Sequence, residues 1–216
     1  MHRRRRTALT VSAALLIAAP LLAACGNDAH PGAAAVVGGE RIEVATVQEK
    51  VKDVRAAQQR SPQSAQLIKD SGQLSRAKLY DLIVDQVVQR AADDAGVKVS
   101  RKEIQDGRAQ LVMQSGGEEQ LAAMYLQQRG VAPDQLDDVV RRDILVSKLA
   151  TALGATNTPE GQQKLNQAFT AAAKSLHIDV NPRFGAWDNQ KLELGTYKAP
   201  WITQVTKEPE TVATGA

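Results

Sequence analysis

Tyr80-Asp81-Leu82-Ile83-Val84-Asp85-Gln86-Val87-Val88-Gln89-Arg90-Ala91-Ala92-Asp93-Asp94-Ala95-Gly96 decides the fold class. Tyr80, Ile83, Val84, Val87, Val88, Ala91 and Ala95 recur at three- and four-residue steps, so a helix from about Leu74 to Ala95 gathers them on one face. Gly96 stands where a left-handed residue closes a helix without a Cβ penalty.

Reading outward, the same grammar repeats. Ser100-Arg101-Lys102-Glu103 is a capping box that opens a second helix, weakly apolar and ending near Gly116-Gly117. A short helix spans Glu118 to Arg129, stopped by Gly130. Pro133-Asp134 opens the next, which runs through Ile144, Leu149 and Leu153. Asp134, Asp137 and Asp138 suit its first turn, and Asp137 and Asp138 precede Arg141 and Arg142 by four residues, an ion-pair spacing. Thr158-Pro159 starts a last helix with Leu165, Ala168, Phe169, Ala172, Ala173 and Leu176 on one stripe. Upstream, Val44, Val47, Val51 and Val54 form a narrow stripe that ends at Ser61-Pro62.

Two short β signals flank this body. Ala33 to Val37 and Glu40 to Ile42 surround Gly38-Gly39, a hairpin signal because both glycines accept positive φ. Ile178-Asp179-Val180 alternates before Asn181-Pro182. Neither is long enough to stand alone, and pairing Val36–Val37 with Ile178–Val180 closes the domain. The expected fold is therefore mainly α, about six helices closed by a small β element that joins N- and C-terminal strands. With 3% aromatic residues, the core must rest on Leu, Val, Ile and Ala.

The N-terminus is built differently. Arg3 to Arg6 precede an apolar run from Ala8 to Ala19, and Leu22-Ala23-Ala24-Cys25 follows. Charge, a short apolar stretch and small residues make a secretory leader, too short for a membrane span of roughly 20 apolar residues. Leu22-Ala23-Ala24-Cys25 resembles the lipobox of bacterial lipoproteins, which implies cleavage before Cys25 and lipidation of its thiol. Cys25 is the chain's sole cysteine, so it has no internal disulfide partner. Thr7-Ala8-Leu9 after the arginines matches twin-arginine export poorly, and the general secretion route fits better. Loss of residues 1–24 removes four arginines and leaves 23 basic against 24 acidic residues, moving the formal charge from +3 to −1. The basic balance thus belongs to the leader and gives no reason to expect nucleic acid. Residues 25–32 read as a tether, 33–188 as the domain and 189–216 as a loosely ordered tail.

Three segments resemble the N-terminal domain of SurA/PrsA-type extracytoplasmic foldases. They are Ala35 to Ile42, Leu82 to Ala91 running into Ala95 to Ile104, and Val180-Asn181-Pro182-Arg183-Phe184-Gly185-Ala186-Trp187. Gly38 stands where that family usually has asparagine. Members with prolyl isomerase activity insert a parvulin domain of about 90 residues before the closing strand; here Ala155 to His177 leave room for one helix. The resemblance implies a chaperone that binds unfolded exported polypeptide without ATP, held by lipid at the outer face of the cytoplasmic membrane. Two other readings stand beside it: an isomerase-family foldase, and a scaffold lipoprotein that binds one folded partner.

No catalytic constellation emerges, and no cofactor or metal is called for. His30 and His177 have no second ligand at a useful spacing, the serines form no nucleophile elbow, and Gly116-Gly117 is not a phosphate loop. Acidic pairs at helix ends read as solvated faces. Met113, Met124 and Tyr125, on the two least apolar helices, are the candidate client contacts, against the plainer reading that they fill the core. Trp187 is expected to pack beside the closing strand. Trp201 is either a docking residue or part of an unordered tail.

Overall fold

Positive φ at Gly38 (+60°) and Gly39 (+84°) turns Ala33–Val37 (β1) back onto Glu40–Glu43 (β2) in the computed structural model, which describes residues 31–155 and 157–197. Val37 faces Glu40, Val36 faces Arg41 and Ala35 faces Ile42, with a bulge between Ala33 and Ala35. On the other edge of β1 lies Asp179–Val180 (β3), antiparallel, with Ala35 opposite Val180 and Val36 opposite Asp179. The sheet order is β2-β1-β3, so the expected closure between the two ends is present. The paired residues are Ala35 and Val36 on β1 and Asp179 and Val180 on β3, within one residue of the expected segments.

Seven α-helices, among the described residues, surround this sheet: α1 (Val44–Arg60), α2 (Ser64–Lys69), α3 (Leu74–Asp94), α4 (Arg101–Ser115), α5 (Glu118–Arg129), α6 (Leu136–Ala152) and α7 (Pro159–Ser175). A 3-10 turn at Pro133–Gln135 leads into α6. Six of the seven follow the sequence signals. The seventh, α2, is six residues long and buries none of them, so no stripe announces it. Side chains of α1 fasten its region instead: Arg55 donates to the Ser71 hydroxyl and to the carbonyl oxygens of Ile68 and Ser71, and Gln58 donates to that of Leu67.

The main core joins β1 to α1, α3, α6 and α7. Ala35, Val37, Val47, Leu79, Ile83, Val87, Leu149, Ala173 and Phe184 meet there. The buried stripe of α3 starts at Leu79, not Tyr80: Leu79, Ile83, Val87 and Ala91 repeat every four residues, and Tyr80 stands at the surface, 36% exposed. At its C-terminus Val97 N–H bonds Ala92 O (2.8 Å) beyond left-handed Gly96, so the end closes as the sequence requires. The capping box of α4 also forms. Ser100 Oγ accepts from Glu103 N–H (3.2 Å), and Glu103 Oε2 accepts from Ser100 N–H (2.8 Å).

The stretch between α6 and β3 holds the helix α7, as its length requires, and no parvulin module is seen among the described residues. One expectation needs correction. The chain does not loosen directly after Asp188: Ala186–Asp188 (β4) and Glu193–Gly195 (β5) form an antiparallel hairpin, with Trp187 opposite Leu194. Asp188 Oδ1 accepts from the N–H groups of Gln190 (2.8 Å) and Lys191 (3.1 Å), which shapes its turn. Three-residue strands give too short an alternation to be read ahead of time. The tail beyond Tyr197, with Trp201, lies outside the described residues, as do the leader and Cys25.

Candidate functional site

The β4–β5 hairpin matters because of what it leans on. Trp187 packs 6.1 Å from Tyr80 of α3, ring centroid to ring centroid, tilted by 35°. Between this pair, α6 and α7 runs a groove of about 250 Å³. Val84, Val87 and Val88 contribute from α3, Val146 from α6, Phe169 from α7 and Leu192 from the hairpin turn, with Arg142 and Asp143 also lining it. Helical periodicity explains the α3 contribution: Tyr80, Val84 and Val88 sit beside the stripe that faces the main core, and Val87 stands at its edge. The lining is mostly apolar, partly exposed, and contains three of the chain's seven aromatic residues.

Arg76 ties the hairpin to α3, and a close approach at Gly185 holds its strands together. Arg76 of α3 donates to the carbonyl oxygens of Leu194 (2.8 Å) and Gly195 (3.0 Å). Gly185, at φ +132°, approaches β5 so closely that an added Cβ would lie 2.2 Å from Gly195 O. The Trp187 indole N–H, which would be costly to leave unpaired, bonds Asn189 Oδ1 at 3.0 Å. Leu192 adopts φ +54°, a left-handed conformation that is unusual for a leucine, and its side chain packs against the main core. Partial burial, followed by the charge of Asp81, raises the pKa of the Tyr80 hydroxyl, so this ring presents a neutral phenol.

Beside the groove lies a partly buried charge network, and Arg142 belongs to both. Its guanidinium contacts Asp85 (3.0 Å) and Asp81 (3.7 Å) of α3. Lys78, 3% exposed, pairs with Asp81 (2.8 Å), and Lys50 of α1 pairs with Asp138 of α6 (2.8 Å). Gln135 donates to Lys50 O (2.9 Å). Burial pushes the Asp85 carboxyl up to about 6, with Arg142 pulling the other way. The network links α1, α3 and α6; Lys78, its one fully buried charge, would be strongly destabilising if left unpaired. Here the sequence suggested a different pairing. Asp137 and Asp138 were expected to face Arg141 and Arg142 four residues on, yet Asp137 reaches Arg108 of α4 (2.7 Å) and Arg141 reaches Gln89 of α3. Interhelical partners draw these side chains away from their own helix.

The three residues singled out as client contacts do not share a surface. Met113 projects from α4, 76% exposed. Met124 is half-buried, while Tyr125 is 8% exposed and packs in a secondary core with Leu121, Val131, Leu136 and Val139. That cluster makes α5 a core element; the Arg129 guanidinium lies 5.7 Å above the Tyr125 ring. None of the three lines the groove. Spacing alone puts Tyr80 on the core stripe of α3 and leaves Phe169 and Trp187 on distant segments, so it does not bring the three together. The available signal was scarcity: seven aromatics in 216 residues invite the question of where they meet.

A family model for the SurA-like N-terminal domain matches residues 1–150. The match takes in β1, β2, α1 to α5 and α6 as far as Ala150, while α7 and β3 to β5 follow it. Searches of curated proteins and of solved structures gave no match.

Proposed function

We propose that this chain, which belongs to the family of SurA-like N-terminal domains, is a lipid-anchored extracytoplasmic holdase that binds unfolded exported polypeptide in the aromatic groove. The family is of chaperone type, and its N-terminal domain is not a catalytic one. One observation supports the site above all others: Tyr80, Phe169 and Trp187 come from three separate segments to line one partly open apolar groove. Exposed aromatic surface at such a position is what an unfolded segment can use and a sealed core cannot.

The energetics suit a holdase. Seating one large apolar side chain is worth about 1.5–3 kcal/mol, from which the ordering of a flexible client must be subtracted. A groove of about 250 Å³ takes only a side chain or two. The net affinity is weak, so release needs no ATP and a client can leave whenever folding buries the same residues. Arg142 and Asp143 at the groove supply both signs of charge and favour no strongly charged client. Transfer of diacylglycerol to the Cys25 thiol, cleavage before it and acylation of the new amino group give a stable anchor without a spanning helix.

The test is aggregation of a denatured model client, followed by light scattering. Residues 26–216 serve, since they contain the whole compact unit from Gly32 onward. Suppression near equimolar protein is expected; undiminished scattering at that ratio counts against holdase activity. Metabolic labelling with palmitate tests the anchor, and the label must vanish in Cys25→Ser.

A further inference from the structure

Gln73, Ala77, Tyr80 and Val84 follow one another at steps of four, three and four residues, which sets them in one strip along α3 from its N-cap. Gln73, Ala77 and Tyr80 stand exposed on it. Three depressions succeed one another along this strip. The aromatic groove is the last of them. The middle one shares Tyr80 with the groove and is also lined by Gln73, Arg76, Ala77, Glu193 and Leu194. The first shares Gln73 and Ala77 with the middle one; Asp70, just before α3, and Gln127, Gln128 and Arg129 of α5 wall it. From Gln73 to Val88 the strip runs about 22 Å, which an extended chain covers in about seven residues.

The two ends differ in chemistry. Opposite the aromatic groove, the first depression carries the side-chain amides of Gln73, Gln127 and Gln128, each able to donate and to accept hydrogen bonds, as a peptide backbone does. Charge is balanced at every step: Asp70 with Arg129, Arg76 with Glu193, and Arg142 with Asp143. Arg129 also lies 3.8 Å from Asp143, which joins the first depression to the last. Such a surface favours neither a polyanion nor a polycation, and it suits neutral main chain. Ala77 is the smallest side chain of the strip and leaves room for a backbone to cross it.

We propose that a client segment of about seven residues lies extended along α3, one apolar side chain in the aromatic groove and its main chain running over Ala77 to the glutamine amides around Gln73. The inference rests on the holdase reading and adds to it the form, length and polarity of the segment recognised. Hydrogen bonds to main chain raise affinity without reading sequence, while the groove asks only for one apolar anchor, a combination that serves many clients.

The test is fluorescence anisotropy of labelled, end-capped peptides of three, five, seven and nine residues, titrated with residues 26–216. Each is built of Ser and Thr around one Phe-Leu pair, placed at the N-terminus in one series and at the C-terminus in the other. In one series affinity is expected to rise about tenfold between three and seven residues and then to level off. Equal affinity at three and nine residues in both series confines the client to the groove and overturns the track. N-methylation of the peptide bonds beyond the Phe-Leu pair is expected to cancel the gain, and a gain that survives overturns backbone recognition. Ala77→Arg, at an exposed helical position, is expected to bring the nine-residue peptide down to the affinity of the three-residue one. Undiminished affinity in that variant overturns the path along α3. One peptide bound per two chains assigns the surface to a pair of copies and overturns the single-chain track. Failure of every peptide to bind, together with undiminished aggregation of the denatured client, refutes the holdase reading itself. Suppressed aggregation without any dependence on peptide length refutes the track alone.

Discussion

The side-chain amide of Asn181 donates to the carbonyl oxygen of Ala33 at 3.1 Å, across 148 positions of sequence. Its backbone N–H bonds Ala34 O at 3.0 Å, and its Oδ1 accepts from Arg183 N–H at 3.1 Å. One residue thus finishes the β1–β3 edge and starts the turn that delivers Phe184 to the core. Asn181→Ala strands the Ala33 carbonyl, and a loss of about 1–3 kcal/mol is expected. Urea unfolding measures it; a change below a few tenths means that water replaces the amide.

At the entrance to α4, Ser100→Ala should cost about 1 kcal/mol, the usual worth of an N-cap hydroxyl. Glu103 adds a pH signature. The Lys148 ammonium, then the Ser100 N–H and hydroxyl, hold its carboxyl down at about 2. A depressed carboxylate stabilises the fold above its ordinary value, and the contribution is lost as pH falls toward about 2. Glu103→Gln should flatten the acid limb of the stability profile; an unchanged limb refutes the assignment.

Asp85 behaves in the opposite sense. Burial is the main reason that its carboxyl titrates at about 6, with Asp81 and Asp138 adding to the rise and Arg142 and Arg141 opposing it. Between the ordinary carboxylate value and about 6, the folded chain keeps a proton that the unfolded chain has lost. Its contribution is therefore full below that window and disappears as pH rises through about 6. The urea midpoint of Asp85→Asn minus that of the native chain should grow between about pH 4 and pH 7. A shrinking difference means that attraction to Arg142 outweighs burial.

Gly185 is the sensitive point of the hairpin. Alanine there must tolerate φ +132° and a Cβ placed against Gly195 O. Gly185→Ala is expected to cost about 1–3 kcal/mol of backbone strain and to move β5 off α3. Tryptophan emission should shift to the red, and client binding should weaken together with it. An unaltered spectrum would show that β4 and β5 part without disturbing Trp187.

Within the groove itself, Phe169→Ala removes one aromatic wall while leaving most of the core intact. Client affinity should fall roughly five- to tenfold, equivalent to about 1–1.4 kcal/mol. The same change at Met113, which stands alone on α4, should leave affinity unaltered. Equal effects from the two would point to a diffuse binding surface.

The parts that the sequence foretold share one property: their signal is local and repeats. The Ser100–Glu103 box, the Gly96 stop, the Gly38-Gly39 turn and six helical stripes each depend on residues within a few turns of one another. Gly38 itself, at φ +60°, fits the turn whether or not its neighbour Leu176 moves. What stayed hidden depends on tertiary contact. Tyr80 fits the α3 stripe by spacing, but Leu79 is the better-buried neighbour, and only the position of Trp187 shows where the tyrosine points. Tyr125 shows the converse: α5 has weak amphipathicity, yet it buries Leu121, Tyr125 and Leu126 against separate clusters. The groove could not be read at all, since its walls are assembled from segments up to about 110 residues apart.

The central position of β1 also sets a clock. Synthesis begins at the N-terminus, so the strand that must be flanked on both sides is made before almost everything else, and Val180 arrives 145 residues after its partner Ala35. At about 5–20 residues per second, the newborn chain waits on the order of ten seconds with one edge of that strand open. Until then it is a sticky, half-finished polypeptide, open to pairing with the edge of any other unfinished chain.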